Sequence, residues 1–388
     1  MAAARVITTG ERRARLGTAH RLAVPASGPL DAADAMVALH ATDPATIVLS
    51  VLARAPSADV SDVEEALYVE RRLVRMLSMR RTVWVTPRER APVLQAACSR
   101  DVATRQRKLL VQHLTRSGIH PDPGAWLEAL EERTVAALSA RGEATAAELV
   151  ADVPELRTPI SVPPDAVQHA TSRVLNLLSA DAHVLRGRPL GSWTSTQYRW
   201  SPTGSLWPDG MPDLDPAAAY AQLARDWLRT FGPAPASDLR WWTGWPITRT
   251  RAALAAAGAV AVDLDGEPGV DLPDPEAPDE PRPWVALLPA LDPTPMGWQR
   301  RDWYLGEHRA PLFDRTGNIG PTVWSDGRIV GGWAQTPTGA LAVRLLEDIG
   351  AEATAAVHAE AERLAAKIGP VRVVPRFRTP LERELAAG

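Results

Sequence analysis

Three stretches of this sequence run through the same order of elements: a helix, a short turn, a second helix, then a pair of strands around a tip. That recurrence makes the chain a row of small modules. The middle stretch states the pattern most fully. "GEATAAELVADVP" opens with Thr145 as an N-cap and puts Leu149 and Val150 on an apolar face. "DAVQHATSRVLNLLSA" carries Val167, Ala170, Val174, Leu177 and Leu178 at helical spacing, and "HVLRGRPLGSWTSTQYRW" reads as two strands around a Gly/Ser-rich tip. A winged helix-turn-helix has this order. In the third stretch, "PAAAYAQLARDWLRTFG" is a helix stopped by Gly232 and Pro233, Ser237 caps the next, and Thr248 precedes a helix that begins with Arg249 and Arg251. "AVAVDL" then alternates as a strand does. The first stretch is looser: "LDAADAMVALH", "TIVLSVLARAP", "DVEEALYVERRLVRMLSM" and the strand-like "RRTVWVTP".

From Pro281 the character changes. "PWVALLPALDP" is a short buried strand, and "GPTVWSDGRIVGGWAQ" is two alternating runs around Asp326-Gly327, a strong hairpin signal. "GALAVRLL" and "PVRVVPRF" supply further strands, and "AEATAAVHAEAERLAAKIG" is an alanine-rich helix ending at Gly369. The acidic, proline-rich run "DGEPGVDLPDPEAPDEPRP" is the natural linker before this terminal piece. The expected fold class is therefore α+β. The expected domains are 1–115, which includes a basic segment, 116–212, 213–280 with the acidic linker, and a C-terminal α+β domain over 281–388 with its hairpin.

Charge is unevenly placed. The 388 residues carry a net charge of -3, yet from Arg71 to Arg116 there are 12 basic residues against Glu89 and Asp101, and from Asp263 to Glu280 eight acids and no base. A strongly basic segment inside a mildly acidic protein points to a local phosphate-facing surface, with a solvated helix face as the other reading. Arg71, Arg72, Arg75, Arg80 and Arg81 fall there on an expected helix and the strand after it. Arg249 and Arg251 open the third stretch's last helix, where a recognition helix places DNA contacts. Trp193 and Tyr198 in the middle wing, and Trp324 and Trp333 beside the late hairpin, are candidates to wedge against a groove.

Other function classes are excluded or disfavoured. Lysine occurs only at Lys108 and Lys367, which leaves few candidates for Schiff-base chemistry. The single cysteine, Cys98, forms no internal disulfide and argues for a reducing, cytoplasmic interior. No apolar run approaches membrane-spanning length, and "MAAARVITTGERRARLG" lacks a signal peptide's apolar block. There is no metal-ligand spacing and no phosphate loop, so neither a metal nor a nucleotide cofactor is expected.

"MVALHATDP" concentrates a histidine, a threonine and an aspartate. Asp43 or Thr42 before Pro44 makes a helix start, an N-cap followed by proline at the first helical position. In extended backbone His40 and Thr42 point the same way, whereas in a helical turn His40 shares a face with Asp43. Proline after Asp43 favours the first arrangement.

"RRARLGTAHRLA", "LHATDP", "LLPALDP" followed by "WQRRDWYLG", "LFDRTGNIGPTVWSDGRIVGGWAQ" and "VPRF" together resemble the bacterial winged-helix DNA-binding family that contains the AlkZ and YcaQ type DNA glycosylases. The resemblance implies tandem winged helix-turn-helix modules in a C-shaped, basic cradle for duplex DNA, with removal of alkylated purines by its characterised members; the expected partner is damaged double-stranded DNA, bound by a monomer. The family's catalytic motif is glutamine, an apolar residue, then glutamine or aspartate. His40, Ala41 and Thr42 occupy the matching positions, with Asp43 one residue on, so both polar positions depart from the pattern. His40, Thr42 and Asp43 are the candidate catalytic residues on this basis, and Asp292 with Arg300 and Arg301 is an expected ion pair holding the terminal domain. Two readings follow: a monofunctional glycosylase that excises N7- or N3-alkylated purines, bulky adducts or crosslinks included, by water attack, or a non-catalytic regulator or lesion-recognition factor that kept the cradle.

Overall fold

Several of the longer helices start at an aspartate followed by proline. Asp43, Asp122 and Asp215 each accept a hydrogen bond from a backbone amide of the first turn, and Pro44, Pro123 and Pro216 occupy the position whose missing N–H costs nothing. These caps punctuate a mixed α+β chain, seen here in a computed structural model that describes residues 4–164, 166–273 and 281–388.

Three segments repeat one order. The first runs through helix Pro29–Ala35, the short strand Leu39–His40, helix Pro44–Arg54, a helix from Val60 to Val69, and strands Leu73–Ser78 and Thr82–Pro87. The second runs through helices Pro123–Arg141, Ala146–Asp152 and Ala170–Ala180 to strands Val184–Pro189 and Tyr198–Pro202. The third has helices Pro216–Phe231, Ala236–Thr243 and Ile247–Ala256 and strands Val260–Leu264 and Glu267–Asp271. In each, backbone just after the first helix pairs with the second strand of the hairpin: Leu39–His40 on Thr82–Pro87, Ala144 on Trp200, Ala234 on Val270.

Several boundaries differ from the sequence reading. The helix expected over "DVEEALYVERRLVRMLSM" stops at Val69, because all six residues of Leu73–Ser78 are buried and are held as a central strand between two neighbours. Val167 lies on strand Ala166–His169, not on a helix, and is exposed; a hairpin with Pro159–Val162 precedes the helix that starts at Ala170. Ser237 sits inside the helix it was expected to cap, and Thr248 lies inside the helix it was expected to precede. Of the expected linker, Glu267–Asp271 is a strand, and 274–280 lies outside the described residues. "VRVV" joins no ladder; the Gln335 side chain instead accepts from Val373 N and donates to the Val371 carbonyl. Residues 5–19, expected with the first module, make contacts with the third segment: Arg5–Val6 pairs in parallel with Val260–Leu264, and helix Thr9–Ala19 packs on Pro216–Phe231.

Two sheets position the functional region. The hairpins of the first and second segments join edge to edge, through the pair Arg75 and Arg186, into one five-stranded sheet. The terminal domain is a four-stranded meander, its central hairpin turned by Asp326 and Gly327, both at positive φ as such a tight turn requires. Trp324 and Trp333 are buried in it and wedge into nothing. Among the described residues no helix is long and apolar enough to cross a membrane.

The terminal domain is held by a buried ion pair, but not the expected one. Asp292 takes both Nη atoms of Arg54, at 2.7 and 2.8 Å, with both side chains inaccessible. Ser50 and the Thr294 amide complete the carboxylate's acceptor sites. Burial pushes the Asp292 carboxyl up, but Arg54 and these donors outweigh it and hold it below its ordinary value. Arg300 instead reaches Glu267, and Arg301 caps the Trp298 carbonyl.

Asp292→Asn leaves Arg54 charged and buried without a counter-ion, which is expected to cost about 3–5 kcal/mol in urea unfolding. The double replacement Arg54→Met with Asp292→Leu recovers most of that loss. A single variant as stable as the parent would show that this contact does not fasten the domain.

Candidate functional site

The stretch "LHATDP" is split by its own backbone. His40 lies on the short edge strand opposite Trp84, and paired residues share a face, so its ring meets Trp84 edge-on at 5.4 Å. Leu77, Val83 and Arg186 alternate onto the other face. The chain bends at Thr42, and Thr42, not His40, borders the open cleft on that other face. The expected common direction of His40 and Thr42 is therefore not what the bend produces.

His40 is nearly inaccessible, and its Nδ1 is sealed without a partner. Burial, with Arg80 nearby, pushes its pKa down to about 4, so the ring is neutral at physiological pH. Asp43 spends both oxygens on backbone amides: Oδ1 accepts from Ala45 N at 3.1 Å and Oδ2 from Arg376 N at 2.9 Å. Burial raises its pKa and these donors pull it back. It is the helix cap, and it also fastens the "VPRF" segment; it does not face the cleft.

The cleft, about 520 Å³, lies where the first segment, the second segment and the terminal domain meet. Four arginines line it, Arg81, Arg173, Arg186 and Arg376, and among the described residues no carboxylate does. Three of them are held by neutral amide side chains: Arg81 by Gln106 at 3.4 Å, Arg173 by Gln168 at 2.9 Å, Arg186 by Asn176 at 2.8 Å. An amide acceptor orients a guanidinium without cancelling its charge. The charges consequently repel. Burial lowers the Arg173 pKa, with Arg81 contributing, and burial brings Arg186 down to about 10, with Arg75 and Arg376 contributing. Such a surface is suited to a polyanion.

Of the arginines expected to meet phosphates, only Arg81 lines this cleft. Arg71 binds Ser205, Arg72 pairs with Glu70, and Arg80 stacks over Trp241 at 4.3 Å. Arg75 is 2% exposed, since it sits mid-strand in the shared sheet. Arg249 is neutralised by Asp101 and covers the Tyr220 ring, whereas Arg251 is exposed with no charged partner among the described residues. Trp193 is buried, and Tyr198 stacks beneath Arg186 and Arg75, so neither is a free wedge. Arg173, Arg186 and Arg376 were not singled out from sequence. The only local signal was Arg173 and Asn176, three apart on one helix face. No metal-binding group of side chains occurs among the described residues.

Comparisons with known proteins agree with this architecture. A family model described as DNA glycosylase AlkZ-like matches residues 33–367. Among solved structures, the DNA glycosylase AlkZ of Streptomyces sahachiroi superposes with a TM-score of 0.71 at 19% identity, over 95% of this chain and 98% of that one, a likeness of fold. No curated protein sequence matches.

Because Asp43 caps a helix and anchors Arg376, Asp43→Ala is expected to lower stability by about 1–2 kcal/mol in thermal or urea unfolding. Asp43→Asn, which keeps an acceptor oxygen, should lose less. Equal losses would remove the capping role.

Proposed function

The chain belongs to the AlkZ-like DNA glycosylase family, and from that premise we propose that this DNA N-glycosylase is a monofunctional one that excises N7- or N3-alkylated purines from duplex DNA. Bulky adducts and crosslinks are included, because the cleft stands open. The observation that carries the reading is the cleft lined by arginines and, among the described residues, by no carboxylate, with Thr42 of the motif at its border. The three repeated segments are read as winged helices forming a cradle, the cleft as the place where the damaged strand lies, and the protein as a cytoplasmic, nucleoid-associated monomer.

An N7-alkylated purine is already cationic, so its glycosidic bond is weakened and the base leaves without added protonation. The enzyme then has to tolerate an oxocarbenium-like sugar and hold a water at the anomeric carbon. We assign the water contact to the Thr42 hydroxyl, which can position water but not deprotonate it. His40 stands two residues back as a neutral imidazole, and with a pKa of about 4 it places no positive charge beside the developing cation. Asp43 is a positioning residue, because both its oxygens are engaged. The two lysines support water as nucleophile: neither lines the cleft, and Lys367 is paired with Asp59.

Free base release from a duplex containing N7-methylguanine tests this. Thr42→Ala should slow release about 10–100-fold with little change in DNA affinity. The rate should be level from pH 8 to 5 and fall as pH drops through about 4, where His40 takes a proton; His40→Gln should remove that fall while the fold, followed by circular dichroism, persists. Borohydride should trap no covalent complex. Release no faster than the spontaneous rate on methyl and bulky adducts alike would overturn the reading.

A further inference from the structure

The seam of the shared sheet contains an arrangement that packing alone disfavours. Arg75 and Arg186 are register partners on adjacent strands, so two guanidiniums stand directly opposite each other on one face. Like charges in that position destabilise a sheet. Arg75 is 2% exposed and Arg186 is also largely covered, and the Nε of each is sealed without a hydrogen-bond partner. Neither has a carboxylate partner among the described residues. Arg75 reaches the Gly187 carbonyl, at 3.4 Å, and the neutral Tyr68 hydroxyl, and Arg186 reaches the Asn176 amide oxygen. Tyr198 lies under both, 5.4 and 4.9 Å from the two guanidinium carbons, and Trp200 lies 5.3 Å from that of Arg186. These rings offset part of the desolvation cost but supply no negative charge.

Arg186 borders two hollows. One is the 520 Å³ cleft; the other, about 300 Å³, is lined by Arg71 and Arg75. The carboxylate bordering that second hollow, Glu143, is taken by Arg199, and Arg188 there pairs with Glu64. Among the described residues no carboxylate supplies the missing counter-charge, which leaves a place for an anion from outside.

We propose that Arg75 and Arg186 form a pre-built anion site that receives one phosphodiester of the bound DNA strand, with Asn176 and Tyr198 positioning Arg186. The inference rests on the reading of the cleft as the DNA site and sharpens it: among the many phosphates of a duplex, this seam fixes one, and with it the placement of the strand against Thr42. Arg186, at the border of the cleft, makes the contact, and Arg75 behind it raises the local potential.

Inorganic phosphate serves as the probe, with the full chain in phosphate-free buffer at matched ionic strength. Phosphate should raise the melting temperature of the parent by about 2 °C over sodium chloride. Asn176→Asp places the missing carboxylate beside Arg186: it should match or exceed the parent's stability without phosphate, and lose the phosphate increment. Arg186→Gln should lose the increment too, weaken duplex binding roughly ten-fold, and reduce the slope of log affinity against log salt by about one. A purely structural Arg186 would leave the phosphate increment intact in both Asn176→Asp and Arg186→Gln and the salt slope of duplex binding unchanged, and that result overturns the proposal. These readouts do not depend on base release, so failure of the parent to release alkylated base would strike the substrate reading and leave the anion site standing.

Discussion

The helix Pro44–Arg54 is clamped to the terminal domain at both ends, and the geometry of the cleft depends on that clamp. Arg54 closes the C-terminal end on Asp292, Thr46 donates to the Ala290 carbonyl, and Asp43 takes the Arg376 amide at the N-terminal end. Acid at the start and base at the finish also suit the helix dipole. A helix held so leaves little freedom to the residue before it, so Thr42 and Arg376 are set together at the cleft border; an Arg376 Nη lies 3.5 Å from the Thr42 carbonyl. A buried ion pair is weak evidence of net stability. Its value here is registry, because it fixes which part of the terminal domain faces which part of the first segment.

Electrostatics divides the arginines into two populations. Arg90, Arg100, Arg107 and Arg249 are each met by a carboxylate, and their charge is spent inside the protein. Arg81, Arg173 and Arg186 are met by Gln106, Gln168 and Asn176. The substitution of amide for acid as the partner is what lets a protein of net charge -3 carry a strongly positive trough. Total charge therefore says little about this surface; the identity of each arginine's neighbour says nearly all of it.

Much of the fold was legible because it is local. The Asp43-Pro44 start and the Asp326-Gly327 turn are each written within a few residues, and the elements formed where those signals stand. What escaped is what joins distant segments. Nothing in Arg5 and Val6 announces a parallel pairing with Val260–Leu264, and nothing in "LVRMLS" distinguishes a strand buried on both sides from the end of a helix until the second segment's hairpin is seen beside it. The same limit governs the site. Asp43 was readable as a cap, and Thr42 as a candidate that the fold brings to the cleft border, but Arg173, Arg186 and Arg376 come together only through tertiary contacts. Arg75 illustrates the converse: within a basic run it resembled a surface phosphate contact, and the seam buries it.

The departure of the motif from glutamine and aspartate acquires a physical reading from this arrangement. A strong base is needed when the nucleophile must be generated before the leaving group departs. A cationic purine reverses that order, since its bond to the sugar weakens first and water adds to a carbon that is already electron-poor. Under that order, and on the proposed reading, a positioned hydroxyl suffices. His40, kept neutral by burial, adds no charge of its own, and Asp43, committed to two backbone amides, holds the turn still. The positive charge the enzyme does carry, in Arg173, Arg186 and Arg376, borders the cleft, where the phosphates of a bound strand can answer it.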